Sequence, residues 1–399
     1  MPRSRFALLL ILILGVWPQV GRAGNNNPFY QSNQNEGQMP YFTAWGGSPG
    51  TVGAAFVGNA ASGGFAGIYS IPKSGGVVIT LTGSNFRSVP VGPIVSDGTS
   101  IVFRGNDEVI GGPSTGLFSV PIGGGVPLTI RGSGFTDPSF APAISPNGNI
   151  AFKDLMDDGS TPGIFARSSG GGVPLTINGS NFSRMGRPAV NTALNVAFVG
   201  SPAGSSVSGV YIQDPSQVAP VPLALSPSLR IAGEQVSIVD SPQGTSVSFF
   251  AIDSSTGQRG LYHSDQFTPQ GLFSPPQLLT QGSDTAPLGE VFSTNALGYW
   301  LSKKGYDYYK ARSDLSSALL PTEEIRLIGI GDAVDGSTVA DILMTESSLL
   351  DNGDAMFHLT LANGVSGLYI VSVPEPGSLS ALAISLLALA RRSRGENTQ

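Results

Sequence analysis

The residues able to do acid–base or metal chemistry are few and scattered. Among 399 residues there are two histidines, His263 and His358. Either could act as a general base or a metal ligand, but they lie in different copies of the repeat, each beside a recurring aromatic, where satisfied or solvated strand histidines are the preferred reading. Carboxylates gather at Asp154, Asp157 and Asp158, at Asp332 and Asp335, and at Asp351 and Asp354. Such loop pairs could hold calcium through oxygen ligands. None has the spacing of an EF-hand, and Asp beside Gly is ordinary turn chemistry. No cofactor is assigned, with calcium as the alternative. The absence of cysteine excludes disulfides, thiolate metal sites and Cys nucleophiles. Counting alone allows a Ser-His-Asp triad, but no Gly-x-Ser-x-Gly elbow accompanies it, so no catalytic residue is assigned. The most unusual patch is Lys303-Lys304-Gly305-Tyr306-Asp307-Tyr308-Tyr309-Lys310. Aromatic faces beside cations suit sugar rings or an acidic polysaccharide, which makes Lys303, Lys304, Tyr306 and Tyr308 candidate ligand contacts. The same run occupies a strand position, so at least one of its tyrosines is expected in the core.

The elements that would position these residues are short strands. The chain carries 54 glycines and 30 prolines against 12% charged residues. Gly and Pro at that density weaken long helices and favour tight turns. With 40% of residues apolar and arranged in patterned segments, the composition argues against disorder. Net charge is −6, and setting aside the Arg-rich first and last 23 residues leaves −11 for residues 24–376. An acidic body lacks the basic footprint that nucleic-acid binding requires.

These strands repeat. An aromatic closes a short apolar run at Ala55-Phe56, Val102-Phe103, Ala151-Phe152, Ala197-Phe198, Phe249-Phe250, Tyr299-Trp300 and Met356-Phe357. A second anchor follows at Gly67-Ile68-Tyr69, Gly116-Leu117-Phe118, Gly163-Ile164-Phe165, Gly209-Val210-Tyr211, Gly260-Leu261-Tyr262 and Gly367-Leu368-Tyr369, with a degenerate sixth copy in Tyr306-Asp307-Tyr308-Tyr309. Each period of about 50 residues contains four strand-like pieces, the propeller-blade unit. The first three copies end alike, in Gly83-Ser84-Asn85-Phe86, Gly132-Ser133-Gly134-Phe135 and Gly179-Ser180-Asn181-Phe182, read as strand ends. Their spacing is too short for immunoglobulin-like sandwiches. The expected fold is an all-β propeller of seven four-stranded blades over residues 41–373, with six blades or an open repeat array as alternatives. The last copy is one strand short, so Pro40–Trp45 or the segment near Phe29-Tyr30, within the 24–40 linker, is expected to complete it.

The two ends read as targeting segments. Arg3 and Arg5 precede the apolar run 6–16, and Gly21-Arg22-Ala23 places small residues before a cut between Ala23 and Gly24, so residues 1–23 are read as a signal peptide handled by signal peptidase and the secretion machinery. At the other end, Val373-Pro374-Glu375-Pro376 is followed by an apolar run and by Arg391, Arg392 and Arg394. The prolines keep the segment extended, and the arginines favour a cytoplasmic end. The apolar stretch 377–390, as a helix, would span only roughly 21 Å of a ~30 Å core, better suited to a temporary handle than to a permanent anchor.

Residues 374–399 resemble the PEP-CTERM sorting signal. That resemblance implies a Gram-negative bacterium, an exosortase-type processing enzyme, transient anchoring in the inner membrane through a short C-terminal apolar transmembrane helix, and final display at the cell surface or in an extracellular matrix. The body resembles a family of tandem NxxGxxAF repeats with variable, choice-of-anchor C-termini. The matching residues are Ser145, Gly148, Ala151 and Phe152; Asn191, Ala197 and Phe198; Gly353 and Phe357; and the inter-repeat run Gly331-Asp332-Ala333-Val334-Asp335-Gly336. That family carries no established activity. The preferred expectation is a non-enzymatic exported propeller that binds an extracellular polysaccharide or a surface protein. A secreted polysaccharide lyase or hydrolase and a purely structural surface protein stand as alternatives.

Overall fold

The computed structural model describes residues 24–31, 42–45, 53–59, 66–72, 79–80, 86–88, 95–107, 114–122, 128–131, 142–155, 161–171, 175–177, 181–223, 225–241, 244–266, 273–295, 297–312, 324–350 and 352–372. Every regular element among them is a strand, and the strands form seven antiparallel sheets. The chain is a β-propeller, and each sheet is a blade.

Blade 1 comprises Phe42–Trp45, Gly53–Asn59, Ala66–Pro72 and Ile79–Thr80. Blade 2 has a divided first strand, Phe86–Ser88 and Val95–Ser96, then Ser100–Asp107, Ser114–Pro121 and Leu128–Arg131. Blade 3 is Ala143–Ile144, Ile150–Leu155, Pro162–Arg167 and Leu175–Ile177. Blade 4 again divides its first strand, Phe182–Met185 and Ala189–Val190, before Val196–Pro202, Gly209–Gln213 and Val221–Pro222. Blade 5 is Leu229–Ser241, Gly244–Asp253, Arg259–Asp265 and Gln277–Gln281; blade 6 is Leu288–Thr294, Tyr299–Lys304, Asp307–Arg312 and Ile325–Gly329. Blade 7 is Ala333–Val334, Ser337–Leu343, Ala355–Leu361, Ser366–Ser372 and, on its outer edge, Gly24–Gln31. From blade 1 to blade 6 the first strands of successive blades touch one another, so they are innermost and surround the axis.

The N-terminal strand pairs antiparallel with Ser366–Ser372, Gly24 opposite Ser372 and Gln31 opposite Gly367. Of the two segments considered for closing the ring, residues 24–31 occupy the last blade, and Phe42–Trp45 is the innermost strand of blade 1.

The Ala-Phe motif has a packing cause. Side chains alternate across a strand, so the motif aromatic faces the preceding blade and the residue before it faces the following one. Val102 of blade 2 packs in one cluster with Phe152 of blade 3, Ala151 with Phe198 of blade 4, Ala197 with Phe249 of blade 5, and Leu301 of blade 6 with Phe357 of blade 7. A small or aliphatic residue leaves room for the next blade's ring. Within blades the two anchors lie opposite each other and stack: Phe103 on Phe118, Phe152 on Phe165, Phe198 on Tyr211 and Phe249 on Tyr262, with ring centroids 5.8, 5.5, 5.7 and 6.2 Å apart.

The leading polar residue of the motif closes the turn after the innermost strand. Ser145 Oγ accepts from the Asn149 amide at 3.0 Å, and Asn191 Oδ1 accepts from the Asn195 amide at 2.8 Å. The Asn191 amide group also donates to Asp240 Oδ1 of blade 5 at 2.7 Å, tying two blades together. At the motif's glycine position Gly148 has φ 84°, and Leu194 adopts φ 65° in its place, an uncommon conformation for a branched residue.

Register corrects two sequence expectations. The residue opposite Tyr309 in blade 6 is Ser302, whereas Trp300 lies opposite Ala311. Ser302 therefore occupies the aromatic position, and Asn295 is the leading asparagine seven residues before it. Asn295 Oδ1 accepts from the Tyr299 amide at 3.1 Å, and its amide group donates to the Leu350 carbonyl of blade 7 at 2.8 Å. Trp300 and Phe292 fill the blade 5–6 interface instead. Second, the phenylalanines read as closing strand ends in the first and third Gly-Ser-x-Phe runs, Phe86 and Phe182, instead open the innermost strands of blades 2 and 4; residues 83–85, 132–134 and 179–180 lie outside the described residues. Phe135 lies outside the described residues.

Candidate functional site

The Lys/Tyr patch forms a hairpin in blade 6, with Gly305-Tyr306 as its turn. Tyr306 is 74% exposed. Lys303 lies beside the hairpin tip, its Nζ 5.7 Å from the Tyr308 ring centroid. Lys304 is neutralised by Glu324, whose oxygens accept from Nζ at 2.7 and 2.5 Å. Tyr308 is core: it is buried, its hydroxyl donates to the Ile342 carbonyl of blade 7 at 3.0 Å, and burial, aided by Asp341, pushes its phenol far up. Of the four candidate contacts, Tyr306 and Lys303 are thus the pair presented to solvent without an ion-pair partner on the hairpin.

The carboxylate clusters are engaged in turns and ion pairs. Asp154 is fully buried in the second strand of blade 3 rather than in a loop. Asp332 receives both terminal nitrogens of Arg326 at 2.8 and 2.9 Å, and the Gly329 amide at 2.8 Å; Asp332 first, and Asp307 after it, hold the guanidinium well above its usual range against the opposing effect of burial. Asp335, with φ 51°, and Gly336 form the turn of the Ala333–Leu343 hairpin. Asp354 accepts from Asn352 at 2.9 Å. Asp157, Asp158 and Asp351 lie outside the described residues. Among the described residues no three His, Asp or Glu side chains converge as a metal site.

The histidines sit on different blades. His263 lies between Ser248, whose Oγ is 3.2 Å from Nδ1, and Asp265, whose Oδ1 is 2.9 Å from Nε2. Burial pushes the Asp265 carboxyl up, but the His263 contact and the Ser246 hydroxyl outweigh it and leave it lowered. A serine, a histidine and an aspartate thus meet as neighbours on blade 5, with Ser248 and His263 buried and Asp265 half-buried. Each member of this trio already has a partner within it, and the Asp265 side chain is 18% exposed. His358 is 7% exposed and its Nε2 has no hydrogen-bond partner among the described residues. Burial lowers its pKa below 6.5, partly opposed by Asp341. In the window between that lowered value and 6.5 the unfolded chain binds the extra proton, so stability is lost as pH falls through it. Urea midpoints at pH 7.5 and 5 should separate in the wild type, and the gap should narrow in His358→Gln.

The structure also brings together residues that the sequence did not single out. Arg184 lies in the first part of blade 4's divided innermost strand, and Arg187 in the break that follows it. Arg184 pairs with Glu234 of blade 5. Arg187 Nη1 reaches Glu346 Oε1 of blade 7 at 3.1 Å. Blades 4 and 7 are not neighbours, so this second pair crosses the axis. Desolvation raises the Glu346 carboxyl, opposed by Arg187. About 38% of its side chain meets solvent. Beside Arg184, a cavity of about 150 Å³ opens between blades 4 and 5, lined by Gly186, Val199, Gly200, Ser201, Ser208, Ile231, Gly233 and Glu234. A bulge builds it: pairing jumps from Ile231–Ala251 to Val236–Phe249, leaving residues 232–235 to bow out. Gly233, at φ 121°, permits the bow, and Gly186 lies so close that a Cβ would stand 2.8 Å from the Glu234 carbonyl. The one sequence signal was two arginines three residues apart in a chain with 21 Lys and Arg in total.

Gly24 opens the outermost strand of blade 7. Ala23, Val373, Pro374, Glu375, Pro376, Arg391, Arg392 and Arg394, and the apolar helix expected between them, lie outside the described residues. Among the described residues no helix is long and apolar enough to cross a membrane.

No protein-family model matches the chain, and no curated protein matches its sequence. Solved structures do match. An oligogalacturonate lyase from Vibrio parahaemolyticus superposes with a TM-score of 0.55 at 11% identity, over 87% of this chain and 93% of that one. An oligogalacturonate lyase in complex with manganese gives 0.52 at 12% identity, over 89% and 99%. A prolyl endopeptidase gives 0.52 at 12%, over 84% of this chain but 47% of its own. What this chain shares with them, at such identities, is the β-propeller fold.

Proposed function

We propose that the chain is an exported surface propeller, delivered by its two ends and acting by binding rather than by catalysis. Signal peptidase cuts at Ala23/Gly24, an exosortase-type enzyme acts at the Val373–Pro376 segment, and the mature ring is displayed at the cell surface or in an extracellular matrix, where it binds glycan or protein. The observation that carries this reading is the pairing of Gly24 with Ser372. These residues border the two expected processing sites, and directly opposed strand residues have Cα atoms only ~5 Å apart. Both membrane-directed segments then leave the body at one point, and removing both takes nothing from the ring. The exposed Tyr306 at the hairpin turn and the half-buried Lys303 on the same hairpin offer a stacking surface and a cation.

The enzyme alternative has its counterpart in the oligogalacturonate lyases that share the fold. It stands second because His263 is enclosed with Ser248 and Asp265, and His358 is buried in another blade. Mass spectrometry of the mature protein from its native host tests the proposal. A chain beginning at Gly24 and lacking residues 377–399 is expected; an intact tail would overturn the sorting reading.

A further inference from the structure

We infer that the cavity between blades 4 and 5 is a binding site for one terminal unit of a neutral saccharide. This rests on the glycan-binding part of the proposed function and names a second site for it, distinct from the blade 6 hairpin. The volume of this open cleft, about 150 Å³, is well above the ~10–15 Å³ that admits a single water, yet below the ~300 Å³ at which drug-sized pockets begin. It therefore takes one ring, at a chain end or branch, and not a run of a polymer.

The lining has the chemistry of a polyol site. Arg184 offers donors and Glu234 offers acceptors side by side, a pairing that vicinal hydroxyls satisfy by accepting from one and donating to the other. Ser201 and Ser208, with hydroxyls 2.8 Å apart, spend that bond on each other and can re-pair with ligand hydroxyls. Val199 and Ile231 supply apolar surface for the C–H face of a ring. The Arg184 side chain is 71% exposed, and ion pairs at that exposure contribute little, so a ligand can share its partners at small cost.

Charge decides between neutral and acidic sugars. Arg184 is balanced by Glu234, and Arg187 by Glu346. An anionic sugar would have to take a guanidinium from a carboxylate and then lie against that carboxylate, within a body of strongly negative net charge. A neutral sugar leaves both ion pairs intact.

The test is saturation-transfer NMR and titration of the mature protein with methyl glucoside, methyl galactoside and methyl mannoside, and with methyl galacturonoside as the anionic probe. The expected result is binding of a neutral glycoside that weakens at least about tenfold in Glu234→Gln and in the double variant Arg184→Ala/Glu234→Ala, the loss of a hydrogen bond to a charged group. The double variant leaves no unpaired charge, and circular dichroism checks its fold. Binding of the galacturonoside alone would overturn the site's assigned chemistry. Neutral binding that survives in both variants but is lost in Tyr306→Ala would overturn the cavity as the site while leaving the glycan reading standing. No binding by any probe would overturn both.

Discussion

Replacing Phe357 with alanine should lower the stability of the ring by about 3–5 kcal/mol, the usual cost of removing a buried aromatic. Phe357 has no exposed surface, meets Tyr308 of blade 6 edge-on with centroids 5.1 Å apart, and packs in the cluster that joins blades 6 and 7. Few neighbours can collapse into the gap, because strands held in ladders on both sides fix their Cα positions. The equivalent position in blade 6 should respond in the opposite sense. Ser302 is fully buried and its hydroxyl has no partner among the described residues. Ser302→Ala removes a polar group whose burial goes uncompensated and should stabilise by about 1 kcal/mol. Urea unfolding midpoints of the two variants against the wild type check both signs. A destabilised Ser302→Ala would mean that the hydroxyl is satisfied and that the register assigned to blade 6 is wrong.

That register shows where sequence reading ran short. Six aromatic anchors were legible because each blade needs a ring facing one neighbour and a smaller residue facing the other; Ala151-Phe152 and Ala197-Phe198 state that need directly. In blade 6 the pattern invited an error. Tyr299-Trp300 looks like an anchor by residue type, but register is set by the turn, and the Asn295–Gly298 turn places Ser302 opposite Tyr309. The Trp fills the interface from the neighbouring position, so the apolar volume is conserved while its address moves. The hairpin of Lys303 to Lys310 was legible as a strand with a buried tyrosine, because its spacing follows the repeat. Which tyrosine, and which lysine carries an acid partner, depends on Ile342 and Glu324, residues that no local pattern connects to them. The inner cavity was not legible at all. It exists because residues 232–235 bulge toward Gly186, and the axial pair joins Arg187 to Glu346 across 159 positions of chain. Contacts between non-adjacent blades leave no periodic trace.

Deleting residues 24–31 should have the largest effect on the whole molecule. The strand is the outer edge of the last blade, and its removal leaves the backbone of Ser366–Ser372 unpaired along one side. A bare strand edge is a template for another chain, and an opened ring loses the constraint that makes its first and last blades neighbours. The expected result is a fall in melting temperature together with concentration-dependent association, seen by light scattering. The loss should be graded along the strand. Pro28 cannot donate to a ladder, and pairing is irregular on either side of it, between Gly24 and Asn27 and between Pro28 and Tyr30. Trimming residues 24–26 alone should therefore leave a monomer, whereas trimming through Gln31 should not. A monomeric ring of unchanged melting temperature after the full deletion would show that blade 7 closes without the N-terminal strand. It would also weaken the geometric basis for linking the two proposed processing sites, which rests on Gly24 lying beside Ser372. If the ring does open, the proposed cleavage after Ala23 and closure of blade 7 would act on the same few residues, and a cut only a few residues further along would yield a body that associates through its last blade.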